Sequence, residues 1–149
     1  VNTEGLSFAL AAPRSDSFVH SDSALSVQCA AAFETVAARL QAKLAANGLS
    51  IVHVHEVDRA LHAAGTALGF RCRVYEVCDA NQVAELLALD PALAPLFPWR
   101  IALTEGEGGA TVATPRPVFL LTEFSPVAAV APRARSLEAR LQRVLREIC

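Results

Sequence analysis

Phe-Arg-Cys-Arg-Val-Tyr-Glu-Val-Cys-Asp-Ala-Asn-Gln, Phe70 to Gln82, with its continuation into Leu-Phe-Pro-Trp-Arg, Leu96 to Arg100, is the stretch that decides the fold. Arg71 to Cys78 reads as a strand. Side chains of an extended chain point alternately to its two sides, so Cys72, Val74, Glu76 and Cys78 share one face and Arg71, Arg73, Tyr75 and Val77 the other. Asp79 stands where a helix N-cap belongs, with Gln82 at capping-box spacing behind it. Val83, Leu86 and Leu87 give the following short helix an inward face, and Asp90-Pro91 stops it, because a residue before proline avoids the helical region. Pro91, Pro95 and Pro98 then mark an ordered, irregular crossing into a second strand.

Outward from this unit, Leu49 to Val57 is a β-branched strand with His53 and His55 on one face and Val52 and Val54 on the other. Before it, Phe33, Val36, Ala37, Leu40 and Leu44 recur at helical spacing, and Asn47-Gly48 ends that helix. Ala24 to Cys29 alternates and reads as the first strand. Val1 to Ser23 holds one apolar run, Leu6 to Ala12, and reads either as an N-terminal arm packed on the domain or a second subunit, or as an added edge strand. Asp58 to Gly69 reads as a turn of helix plus loop, its apolar spacing interrupted by Gly65 and Gly69.

On the other side, Trp99 to Glu105 alternates, Gly106-Glu107-Gly108-Gly109 is a hairpin signal, and Ala110 to Thr114 returns. Pro115 and Pro117 interrupt the run, and Val118 to Thr122 reads as an edge segment. Leu137, Leu141, Val144, Leu145 and Ile148 make the stripe of a last helix capped by Ser136, with Arg140, Arg143 and Arg146 on its wet side. The order predicts an α+β two-layer sandwich: one mainly antiparallel sheet with helices on one face, built from two β-α-β-like halves. Residues 24–149 form its single domain. The sheet face left uncovered predicts a homodimer.

The chain has 149 residues, enough for one domain with a real core. Its net charge of −2 supplies no basic surface for nucleic acid, and no apolar run is long enough to span a membrane. Cys29, Cys72, Cys78 and Cys149 lie too far apart in sequence for a zinc ribbon or a Cys-x-x-Cys motif. A chain of this size does not need staples, which predicts four reduced thiols in a cytoplasmic protein. No signal peptide is visible, although one removed before Val1 would not be; the absence of any methionine implies that an initiator or leader has been lost.

The helix from Phe33 to Gly48 and the segments Val54-His55-Glu56-Val57-Asp58, Tyr75-Glu76-Val77-Cys78-Asp79, Leu87-Ala88-Leu89-Asp90-Pro91 and Leu96-Phe97-Pro98-Trp99-Arg100-Ile101 together resemble the domain-of-unknown-function 302 family of small bacterial and archaeal proteins. The resemblance covers roughly Ala32 to Thr114 and leaves out the N-terminal arm and the final helix. It implies a compact, dimerising α+β sandwich without an assigned activity; some members look like companions of sulfur oxidation. Where the family often has Pro-Cys-Arg, this chain has Pro98-Trp99-Arg100, which argues against a cysteine pair with Cys78.

Four constellations carry chemistry. Tyr75, Cys78 and Trp99 are expected around a pocket between sheet and helices, making the chain a dimeric domain that binds a small ligand or partner and is not evidently an enzyme. Cys78, before a helix N-terminus that would lower its pKa, suits a thiol acceptor in sulfur handling with a transfer partner. His53 and His55, two apart on one strand face, are candidate metal or haem ligands. Arg73, Tyr75 and Arg100 would form an anion-accepting surface if their strands were neighbours. No P-loop, Gly-x-Ser-x-Gly, Gly-x-Gly-x-x-Gly or His-Glu-x-x-His occurs, and no cofactor is indicated.

Overall fold

The computed structural model describes residues 17–149. The strands are β1 (Ser17–His20), β2 (Ala24–Cys29), β3 (Ser50–Glu56), β4 (Cys72–Cys78), β5 (Trp99–Gly106) and β6 (Gly109–Pro115). The helices are α1 (Phe33–Ala46), α2 (Val57–Ala63), α3 (Ala80–Leu89), α4 (Pro117–Phe124) and α5 (Val130–Glu147), with a 3-10 helix at Pro91–Leu96 and a cis peptide at Phe97-Pro98. All strand pairs are antiparallel, in the order β1-β2-β6-β5-β4-β3. The fold is thus an α+β sandwich. Its two strand-helix-strand units interleave: β2 and β3 flank the block formed by β4, β5 and β6.

One sheet face is buried. Leu25, Val27, Tyr75, Val77, Trp99, Ile101, Leu103 and Val112 project from it into a core that Val36, Leu40 and Leu44 of α1 and Leu137, Leu141 and Leu145 of α5 complete. Each such side chain contributes about 1.5–3 kcal/mol by leaving water, so the stripes of α1 and α5 hold the two layers together. Gly109 permits a close crossing there, since a Cβ on it would lie 1.9 Å from the Cys29 carbonyl oxygen. Gly48, at φ +72°, closes α1 in the left-handed conformation.

Several expectations change. Val118 to Thr122 lies inside α4 and not in an edge strand, because Pro117 opens a helix whose first N–H needs no partner. α5 starts at Val130 and not at Ser136; Pro132 falls in its first turn, where proline is tolerated. Arg140 does not lie on the wet side: it donates to the Asn47 carbonyl at 3.1 Å, to Asp79 at 2.9 Å and to Gln82 at 2.8 Å. Ser17–His20 is an added edge strand on β2, whereas the apolar run Leu6 to Ala12 lies outside the described residues.

The cysteine expectation also needs correction. Cys29 and Cys149 form a disulfide, and only Cys72 and Cys78 are free. The sequence separation of 120 between Cys29 and Cys149 concealed the pair, which α5 brings together by returning its last turn to the end of β2. Alkylation of the denatured, unreduced protein should therefore modify Cys72 and Cys78 alone. Closing so long a loop lowers the entropy of the unfolded chain, so Cys149→Ser should cost about 2–5 kcal/mol in denaturant unfolding. Four alkylated thiols would refute the bridge.

Candidate functional site

Alternation along β4 and β5 separates the residues that the sequence grouped. Tyr75 and Trp99 are buried on the helix-covered face, at 0% and 3% exposure, while Cys78 lies on the opposite face at the end of β4. The expected pocket of Tyr75, Cys78 and Trp99 is not formed, because an odd and an even position on one strand point to opposite sides. Tyr75 Oη accepts from Arg73 at 3.2 Å, and Trp99 Nε1 donates to Thr114 Oγ1 at 2.9 Å. Both polar tips are satisfied inside the core.

Arg73 is likewise committed. Its Nε donates to Glu56 at 2.8 Å and one terminal nitrogen to Glu34 at 3.2 Å, with the ring of Phe33 beneath. Burial opposes its charge, but the bonds to Tyr75, Glu34 and Glu56 outweigh that and raise its pKa. Arg100 pairs in register with Glu76 and so faces away from Arg73 and Tyr75. The anticipated anion-accepting surface of Arg73, Tyr75 and Arg100 does not assemble.

Cys78 precedes α3, but Asp79 occupies the helix start. Its Oδ1 accepts from the Asn81 and Gln82 N–H groups at 3.1 and 3.3 Å, and its other oxygen accepts from Arg140. Desolvation works against the Asp79 carboxylate, yet these bonds hold its pKa below the ordinary value. The helix dipole thus meets a carboxylate rather than the sulfur of Cys78. At Cys72, burial and then Asp58 raise the thiol pKa, which disfavours the nucleophilic thiolate.

The structure does assemble a groove on the open face of the sheet. It encloses about 470 Å³ and is lined by His53, His55, Val74 and Arg100 of the sheet and by Ala60 and Leu61 of α2. A register shift between Ile51 and His53 leaves Val52 exposed and sets His53 opposite Glu76. The two imidazoles stand edge to face with centroids 4.4 Å apart. Glu76 Oε1 lies 3.0 Å from His55 Nε2 and 3.5 Å from an Arg100 nitrogen. The contact with His55, above all, lowers the Glu76 pKa.

α2 forms the other wall. It contributes no buried residue to the core, yet Val57, Ala60 and Leu61, at i, i+3 and i+4, all face the groove. Asp58 and His62 border a separate depression, and Asp58 also accepts the Cys72 N–H at 3.1 Å, fastening α2 to β4. The sequence contained this stripe, but Gly65 and Gly69 obscured the helix that carries it. Glu76 was placed on the correct strand face without being singled out, because its partners come from β3 and β5.

His53 and His55 supply two ligands, and among the described residues no group of three or more His, Cys, Asp or Glu side chains could hold a metal ion. Trp99 and Arg100 both border a second, smaller cleft of about 190 Å³ with Pro95, Phe97, Pro98 and Leu120.

A two-layer α+β domain with α1 and α5 on one sheet face and a ligand-sized groove walled by α2 on the other is the class that these features define. The pattern of the family described as Domain of unknown function DUF302 matches residues 25–148, and the chain belongs to that family. The match extends beyond Ala32 to Thr114 and includes α5, so the final helix is part of the family's fold. The crystal structure of the uncharacterised conserved DUF302 protein from Bacillus stearothermophilus superposes with a TM-score of 0.79 at 20% identity, over 85% of this chain and 98% of that one. No curated protein matches the chain.

The depressed pKa of Glu76 predicts a pH dependence. The unfolded chain takes up the proton first as pH falls, so the stabilisation by this carboxylate is complete above its unfolded pKa, about 4.3, and is lost as pH drops through the lower folded value. Glu76→Gln should be less stable than the parent at neutral pH, with the difference shrinking toward zero in acid. A constant difference in urea midpoint across that range would contradict the assignment.

Proposed function

We propose that this protein is a small-molecule-binding domain whose ligand occupies the open-face groove. One observation carries the reading: a short helix turns its apolar stripe toward a concavity and not toward the core. Its volume lies within the range of about 300–1,000 Å³ usual for small-ligand sites, and polar groups converge at one side. No catalytic role is assigned. The sulfur-handling reading rests on the half-buried Cys78 alone, since Asp79 takes the helix start. The metal or haem reading rests on only two imidazoles.

A homodimer belongs to the same proposal. Val19, Ala102 and Ala113 lie on the sheet face opposite α1 and α5, and Val19 is 56% exposed. No helix of the described chain is long and apolar enough to cross a membrane. The Cys29–Cys149 bridge favours an oxidising compartment over the cytoplasm expected from the sequence.

A fragment screen followed by amide chemical shifts tests the ligand site. Hits should move Val74, Ala60 and Leu61, and Ala60→Phe, which fills the groove from an exposed position, should abolish binding without lowering the melting temperature. Hits confined to the cleft around Phe97 and Leu120 would overturn the reading. Sedimentation equilibrium at micromolar concentration should give a dimer; a monomer there refutes that part.

A further inference from the structure

We infer that the groove selects a small organic monoanion: a carboxylate on a compact apolar body. This rests on the ligand-binding reading above and adds the chemical class. Most of the lining is hydrocarbon, from Val54 of β3, Val57, Ala60 and Leu61 of α2 and Val74 of β4, which suits an apolar body; the carboxylate of Glu56, which also borders the groove, is engaged by Arg73 Nε at 2.8 Å. Polarity is concentrated at the side where β3, β4 and β5 meet.

There, Arg100 is the one permanent cation among the described residues that line the groove. Its side chain is 68% exposed, and its ion pair with Glu76 uses a single terminal nitrogen at 3.5 Å. That leaves guanidinium N–H donors able to take a carboxylate in the forked geometry that favours arginine. Glu76 does not compete as a site. Its side chain is 14% exposed, and the same oxygen is shared between His55 and Arg100. It therefore serves to orient the Arg100 guanidinium and the His55 ring.

This arrangement also sets what the groove rejects. A cationic ligand would meet Arg100 while the balancing carboxylate lies sheltered behind it. A phosphate dianion would find the single guanidinium of Arg100 beside a carboxylate, where such sites ordinarily converge several permanent cations. A neutral amide of the same shape would fill the hydrocarbon walls but forgo the charge-assisted pair. His53 and His55 stand at the same end, and His55 donates from Nε2 to Glu76 whenever that nitrogen carries its proton.

The test compares phenylacetate, phenylacetamide and phenethylamine by calorimetry and amide chemical shifts, on the parent protein, Arg100→Gln and Arg100→Lys. Phenylacetate should bind in the groove at least tenfold more tightly than the amide or the amine. Arg100→Gln should remove that preference, and Arg100→Lys should retain part of it, the charge surviving without the fork. Arg100 is exposed, so circular dichroism should be unchanged in both variants. Equal binding of amide and carboxylate in the groove would overturn the anion assignment and leave the ligand-site reading standing. Absence of groove binding by all three probes, together with no groove hit in the fragment screen, would overturn both.

Discussion

Burial of one face of an antiparallel sheet beneath α1 and α5 is the constraint on which the rest depends. Once Tyr75, Val77, Ile101 and Leu103 are committed to that interface, period-two alternation fixes the opposite orientation of Val74, Glu76 and Arg100. A one-residue slip of β4 would send Glu76 into hydrocarbon and Tyr75 into water. The energetic demand of the core therefore also places the polar groups of the groove. Arg73 is a charged residue on the buried face, and it is accommodated because two carboxylates, a phenol and an aromatic ring enclose it.

The two faces divide the work. The helix-covered side is closed, with its polar tips satisfied internally: Trp99 on Thr114, Tyr75 on Arg73, and Arg116 on Glu138 through two bonds. Among the described residues no buried side-chain nitrogen or oxygen lacks a partner, so the interior holds no unsatisfied group awaiting a ligand. The open side has the reverse character. Arg100 and His55 are exposed, Glu76 is shared between them, and α2 offers apolar surface that the core does not use. The proposed binding site draws on these features of the open side.

Long-range closures keep this arrangement in place. α5 is tied to β2 by the disulfide, to the start of α3 by Arg140 on Asp79, and to the end of β6 by Glu138 on Arg116. These links make the last helix integral to the domain, consistent with a family match that reaches residue 148. α2 has fewer restraints, chiefly the Asp58 bond to the Cys72 N–H, so one groove wall is held by a single polar contact and the other by the sheet itself.

The sequence by itself determined the class of fold, the five strands from β2 onward, the cap at Asp79 and the distribution of side chains between the two faces of β4, because each follows from local periodicity and capping chemistry. Prolines misled it at α4 and α5, where they open helices or sit in a first turn. Apart from the β5–β6 hairpin, only tertiary structure decided which strands are neighbours. That order brings His55 of β3, Glu76 of β4 and Arg100 of β5 together, sends Tyr75 and Trp99 into the core away from Cys78, and joins Cys29 to Cys149 across the chain. Local patterns report which side of a strand faces the core, whereas contacts between distant segments depend on how the layers close over it.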